Sequence, residues 1–325
     1  MTPAETPQNT EPHAPVLLDE VLTFLAPKDN HTYLDATFGR GGYTKAILEA
    51  ANCNVIALDR DMAAIEFGKN MEANYGGRLK VLHGRFSNME HILESVGIAK
   101  VDGIVFDLGV SSPQLDEAER GFSFAKEGPL DMSMGLASRS AADLVNKAEE
   151  SELANIIYQY GEERKSRQIA KRIVVQRAEK PFETTTELAN LVRSVVKMKH
   201  PKKGKMIDPA TRTFQALRIA VNEELDELKE ALEKSTDLLN ANGMLVVVSF
   251  HSLEDRIVKV FLKQHSKFTA SRLLPHESPE PDPTFDLMTK KAVTPSQAER
   301  DRNPRARSAK LRAAKRVREI FGDAA

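Results

Sequence analysis

The sequence predicts an α/β fold: a doubly wound, largely parallel sheet with helices on its faces and a helical domain inserted into it. Three observations carry that prediction. Short apolar runs alternate with helical patterns through the first third of the chain, nearly 140 charge-rich residues with helical periodicity follow Asp107, and a further buried-strand pattern then runs from Met244 to Phe250.

In order, Tyr33 to Ala36, Val55 to Asp59, Leu79 to His83 and Val101 to Asp107 read as strands, because continuous apolar runs of this length suit strands covered on both faces. Lys45 to Ala50, Met62 to Asn74 and Phe86 to Val96 fill the gaps between them as helices. The inserted domain is expected over 114–207, from Gln114 to Ile207, bounded by the loop-like SSPQLDEAERGFSFAKEGPLDM and the lysine-rich KMKHPKKGKMIDP; 1–113 and 208–325 then form the core and its tail. Asp208-Pro209 is a helix start, and Phe214, Leu217, Val221, Leu225, Leu228 and Leu232 recur at spacings of three and four, so one amphipathic helix is expected to cover the sheet. Asn242-Gly243 ends the connection before the fifth strand. From Ser266 to about Pro304, prolines and polar residues predict a long, loosely packed excursion.

A chain of 325 residues with 41% hydrophobic content can bury a sizeable core. Its single cysteine, Cys53, excludes an internal disulfide and leaves a cysteine-based metal site without ligands, so the reducing cytoplasm is the expected compartment. The opening MTPAETPQNTEPHAP has no basic start followed by an apolar core, and no stretch reaches the roughly 18 apolar residues of a membrane span, so neither export nor insertion is expected. The net charge of -1 hides two basic stretches: 15 Lys/Arg against 6 Asp/Glu from Gly161 to Arg218, and 9 against 3 from Glu299 to Glu319. Nucleic acid is a candidate partner, with solvated helix faces as the plainer alternative.

The segment YLDATFGRGGYTKAIL places Asp35 at a strand end, Gly39, Gly41 and Gly42 in a tight turn, and a helix start directly after. Glycines allow close backbone approach and a helix start presents free N–H groups, so a phosphate or carboxylate fits there. The nicotinamide fingerprint would need glycine at position 44, where Thr44 stands, which weakens a dehydrogenase reading. Asp59 ends the second strand, where a carboxylate can accept from ribose hydroxyls; Phe86 after the third offers a wall for adenine; and Asp107 ends the fourth. Four successive strand ends thus serve one crevice. In SFHSLEDR, Ser249, His251 and Glu254 are placed to reach that crevice; alternatively Ser252 and Asp255, at nearly the spacing of a capping box, start a helix and His251 packs at the turn. No third ligand lies near them in sequence, so no metal site is expected.

The segments HAPVLLDEVL, LDATFGRGGY, DLGVSSPQLDEAERGFSFAKEGPLDM, YGEERKSRQIAKRIV, PATRTFQALRIAVNEEL, SFHSLEDRIVK and NPRARSAKLR resemble the RsmH (MraW) family of small-subunit ribosomal RNA methyltransferases along nearly the whole chain. The resemblance implies a Rossmann-like methyltransferase sheet with an inserted helical domain. It also implies S-adenosylmethionine as methyl donor and the exocyclic N4 of a cytidine in the decoding centre of 16S ribosomal RNA as acceptor. Its cofactor pattern falls on Gly41, Gly42, Tyr43, Asp59, Phe86, Asp107 and Gln114. The family's turn commonly ends Gly-Gly-His, so Tyr43 leaves a backbone contact in place and an imidazole contact in doubt.

A cytosine amine is a weak nucleophile, and acceptors near its hydrogens favour the attacking form; Asp107, Ser111 and Ser112 are the candidates to hold it, with His251 toward the target base. Arg164, Lys165, Arg167, Lys171 and Arg172 on a helical pattern, Lys202, Lys203 and Lys205 in a loop, and Arg305 and Arg307 in the tail would position RNA, whose target base must be splayed out. The expected partner is 16S ribosomal RNA in the small subunit; a homodimer is compatible with the sequence. A methyltransferase acting on another nucleic acid and a non-catalytic assembly factor are the competing readings.

Overall fold

The computed structural model describes residues 15–196, 208–266 and 283–317. Helix α1 (Leu18–Leu25) leads into β1 (Thr32–Asp35), α2 (Gly42–Ala50), β2 (Asn54–Asp59), α3 (Met62–Glu72), β3 (Leu79–His83), α4 (Met89–Ser95) and β4 (Val101–Asp107). A short α5 (Ser112–Asp116) precedes α6 (Ala141–Lys147), α7 (Glu150–Gly161), α8 (Ser166–Glu179), α9 (Thr185–Val195) and α10 (Ala210–Asn222). Then come α11 (Glu224–Leu238), β5 (Leu239–Ser249), α12 (Ser252–His265), β6 (Phe285–Leu287), α13 (Gln297–Arg302) and β7 (Lys310–Arg316).

The seven strands run in the order β3-β2-β1-β4-β5-β7-β6. The first five are parallel, and β7 is antiparallel to both neighbours. Successive strand residues serve opposite faces. Tyr33, Val55, Ala57, Val105 and Val246 join the core under α1, α2 and α3, while Leu34, Ile56, Leu58, Ile104, Phe106 and Val247 join the one under α4, α11 and α12. With both faces covered, the strands read as the continuous apolar runs seen in the sequence. The order reverses between β1 and β4, and an open α/β sheet binds ligands at the carboxyl ends of its strands at such a switch point. Asp35 and Asp107 end those two strands.

The helical stretch differs from expectation at its far end. The single helix expected after Asp208 is two, broken where Glu223 adopts a left-handed φ of 54°. Phe214, Leu217 and Val221 of α10 share a core with Leu153 and Ile157 of α7, Ile169 and Ile173 of α8 and Leu188 of α9. Of the six residues of the expected repeat, Leu228 and Leu232, on α11, are the two in the core that covers the sheet. The repeat of three and four continues across the break, so periodicity alone could not reveal it.

The tail is the second difference. Of the expected loose excursion, residues 267–282 lie outside the described residues, whereas Phe285 of β6 is fully buried; past the excursion, Lys310–Arg316 forms β7 on the edge of β5. Lys310 and Arg312 on that strand pair with Asp255 of α12 at 2.9 and 2.8 Å. No helix among the described residues is long and apolar enough to cross a membrane.

Candidate active site

A cavity of about 1200 Å³ opens at the switch point, lined by the Gly39–Tyr43 turn, Asp35, Asp59, Phe86, Asp107, the Gly109–Gln114 loop and, from the chain's two ends, Pro15, Asn303 and Arg305. Glycine is required at the turn. Gly41 holds φ at 70°, and a Cβ there would sit 2.7 Å from the Phe38 ring; one on Gly42 would run into the Pro15 ring. Tyr43, where an imidazole was in question, is buried and donates its hydroxyl to the Val16 carbonyl, so its side chain ties down the N-terminal segment and does not face the crevice as a free polar group.

Asp35 is buried at the end of β1; its Oδ2 accepts from the Thr44 hydroxyl at 2.6 Å and its Oδ1 from the Thr37 amide at 3.2 Å. The residue that spoils a dinucleotide turn thus serves as partner to this carboxylate. Burial pushes the Asp35 pKa up to about 6 against those two hydrogen bonds, with the charge of Asp59 adding to the rise. Asp59 accepts from the Gly39 amide at 2.8 Å and, on its other oxygen, from the Asp61 amide at 2.8 Å. Phe86 meets Phe106 edge to face at 5.7 Å, which fixes its ring as a wall.

Asp107 presents a carboxyl whose Oδ1 is shut from solvent and has no hydrogen-bond partner. Burial, then the neighbouring charges of Asp35 and Glu254, push its pKa up to about 8. Beyond it, Ser111 starts α5, and its amide donates to Gln114 Oε1 at 2.9 Å. Gln114, expected to face the cofactor, is buried and also donates from Nε2 to Asp61 Oδ2 at 2.9 Å. Ser112 Oγ accepts from Arg305, which also reaches Asp116 at 2.7 Å. Arg305 therefore lies in the cavity wall, bound to the very loop expected to hold the target amine.

His251 does not line the cavity; Phe250 does. The helix cap is one residue earlier than the Ser252/Asp255 pattern suggested. His251 is the N-cap of α12, and Glu254 Oε2 accepts from the Phe250 and His251 amides at 2.8 and 3.2 Å. His251 Nε2 lies 3.0 Å from Glu254 Oε1, an ion-pair separation without the alignment of a hydrogen bond. The fold also brings Glu224 to within 4.8 Å of both, a third member of the cluster that spacing along the chain hides. Arg218 already holds both Glu224 oxygens, at 2.8 and 2.7 Å, which makes the cluster a network of opposite charges.

Of the expected RNA contacts, Arg164, Arg167, Lys171, Arg172 and Arg307 are exposed. Lys165 is not free; its Nζ donates to the Val195 carbonyl at the end of α9, at 2.9 Å. Lys202, Lys203 and Lys205 lie outside the described residues. Sequence reasoning missed Asp61, which stands two residues after Asp59 in the same LDRD run, and Arg120, whose role depends on a contact 59 residues away.

The sequence model of the MraW methylase family matches residues 10–317. The chain belongs to that family. A relative from Paramagnetospirillum magneticum, called ribosomal RNA small subunit methyltransferase H, is 55% identical over 310 residues, covering 94% of this chain and 96% of its own. One of the same name from Azorhizobium caulinodans is 57% identical over 306 residues, covering 94% and 87%. Among solved structures, an rRNA methylase from Streptococcus thermophilus covers 92% of this chain and 93% of its own at 12% identity, with a TM-score of 0.39. As a member of the MraW methylase family, the protein is a methyltransferase that takes S-adenosylmethionine, on a Rossmann-like α/β sheet.

Proposed function

We propose that the protein methylates the exocyclic N4 of a cytidine in the decoding centre of 16S ribosomal RNA, within the small subunit, in the cytoplasm. The single observation that carries the site assignment is the unpartnered, buried Oδ1 of Asp107 at the switch point, since a buried acceptor without a donor calls for one from a ligand. The names of the relatives support the ribosomal RNA substrate. The cavity volume, above the roughly 300–1,000 Å³ common for small-ligand pockets, leaves room for a nucleotide beside the cofactor.

When bound, S-adenosylmethionine supplies an electrophilic methyl group on a sulfonium. Asp59, its carboxylate oriented by the amides of Gly39 and Asp61, keeps lone pairs for the ribose hydroxyls. Phe86 walls the adenine, and the Gly41-Gly42 backbone admits the amino-acid end. Asp107 would accept from the ammonium of the cofactor and from the exocyclic amine of the cytosine. Ser111 and the carbonyls of its loop hold the other amine hydrogen, favouring the form in which the nitrogen lone pair points at the methyl group. Transfer would form the new N–C bond as the sulfonium S–C bond breaks to leave a neutral thioether, and the proton the amine sheds would pass to the Asp107 carboxylate.

The inserted helices would dock the RNA through the exposed Arg164, Arg167, Lys171 and Arg172, with Arg307 from the tail and Lys202 and Lys203 adding phosphate contacts. Incubation of the protein with methyl-labelled S-adenosylmethionine and small subunits from cells lacking it tests the reading. Label in N4-methylcytidine is the expected result; cofactor binding without transfer to subunit or free RNA would favour an assembly factor.

A further inference from the structure

Asp61 is buried, and its carboxylate joins three parts of the molecule. Oδ1 caps α3 through the Ala63 amide at 3.1 Å. Oδ2 accepts both from Gln114 Nε2 at 2.9 Å and from Arg120 Nη2 at 2.6 Å. Its own amide donates to Asp59. Burial pushes its pKa up, but the hydrogen bonds from Arg120 and Gln114 more than offset this and hold the group ionised, so both contacts are charge-assisted.

Arg120 is equally well tied on its far side. Nη2 also donates to the Ser133 carbonyl at 3.3 Å, and the Arg120 carbonyl accepts from the Met132 amide at 3.1 Å. The same 132–134 stretch is held by Asn222 at the end of α10, which donates to the Met132 carbonyl at 2.8 Å and accepts from the Met134 amide at 2.9 Å. Since α10 shares its core with α7, α8 and α9, hydrogen bonds run unbroken from the helical body to Asp61, and from there to Gln114 and the Ser111 amide.

We infer that Arg120 is a positioning residue for methyl transfer, acting through Asp61 and Gln114 on the Ser111 loop and tying that loop to the helices on which RNA docks. This rests on the methyl-transfer reading above. A fixed Gln114 carbonyl is what orients the Ser111 amide, and small misplacement at a group-transfer site is expensive in rate. Without Arg120, Asp61 keeps its α3 cap and its contact to Asp59, so that side of the crevice is left nearly as it was, while the carboxylate that holds Gln114 loses its tie to the 132–134 stretch and fixes Gln114 less firmly. Both contacts come from the one nitrogen Nη2, so a lysine ammonium at 120 can supply them in part, without the planar guanidinium that fixes their direction.

The test measures the S-adenosylmethionine Kd by calorimetry, and kcat and KM on small subunits, for the full chain and for R120Q, R120K, D61N, Q114A and R120Q/Q114A. The expected result is a cofactor Kd within about threefold of the unaltered protein for R120Q, with kcat lowered by about 10- to 100-fold. R120K should recover part of the loss, and the double variant should be no slower than the slower single one. D61N, in which asparagine still caps α3, should repeat the kcat loss and carries the test should R120Q fail to fold. Multiplying losses in the double variant, or a Kd that weakens in step with kcat, would overturn the inference alone; absence of transfer by the unaltered protein would overturn it together with the reading it rests on.

Discussion

Asp107 ends β4 beside Asp35 at the end of β1, and after burial the charge of Asp35 is the largest influence pushing the Asp107 pKa up to about 8. Two carboxyl groups buried at one switch point cannot readily both ionise, and a cationic ligand relieves that conflict. This pairing explains both what the crevice attracts and how it should respond to pH.

The first prediction concerns binding. With its pKa near 8, Asp107 is largely protonated at neutral pH in the free protein, and a cation binding next to it must drive the proton off. Affinity for S-adenosylmethionine should therefore rise between about pH 6 and about pH 8, with proton release visible as buffer-dependent heats in calorimetry. Asp107→Asn should bind more weakly at pH 8 and show a flattened profile; an unchanged profile would remove Asp107 from the cofactor site.

Stability without ligand should run the other way. Asp35 and Asp107 have folded-state pKa values raised above those of the unfolded chain, so their contribution is complete at low pH and is lost as pH rises through about 6 and then about 8. The Tm of the free protein, followed over that window, should fall more than that of Asp107→Asn. Thr44→Val, which removes the hydroxyl that Asp35 accepts from, should cost about 1–3 kcal/mol at pH 7 by denaturant titration.

At the glycine turn, Gly41→Ala should be damaging beyond its size. The position combines a φ of 70° with a Cβ site 2.7 Å from the Phe38 ring. We expect more than about 1 kcal/mol of lost stability and at least a tenfold weaker cofactor Kd, with little change in the salt dependence of RNA binding. Normal cofactor affinity would show that the turn is not part of the cofactor site.

On the helical body, reversing Arg167, Lys171 and Arg172 to glutamate should weaken RNA binding across sequences. It should also flatten the dependence of log K on log salt by close to one for each lost phosphate contact, while cofactor affinity stays the same. Filter binding at several salt concentrations provides the check.

Much of the core was legible in the sequence because a parallel sheet covered on both faces writes itself as apolar runs. Leu79–His83 and Val101–Asp107 match their expected bounds to the residue, and Asp35, Asp59, Phe86 and Asp107 do line one cavity. Other features depend on long-range contacts that leave no local pattern. Glu223 breaks a helix inside an unbroken apolar repeat. A basic tail becomes β7, with Leu311, Ala313 and Ala314 buried against β5 and Lys310 and Arg312 paired with Asp255. Gln114 bonds to Asp61 across 53 residues, and Arg305 to Asp116 across 189. The sequence left His251 between packing at the turn and reaching the crevice, and it caps α12 instead, its Nδ1 accepting from the Glu254 amide at 3.4 Å.

The most direct test of the central claim is mass spectrometry of nucleosides from the decoding-centre segment of 16S ribosomal RNA, taken from cells lacking this protein and from the same cells supplied with it or with Asp107→Asn. The account predicts that methylation on cytidine N4 is absent without the protein, restored by the unaltered chain, and largely missing with Asp107→Asn. Undiminished N4-methylcytidine in cells lacking the protein would contradict it.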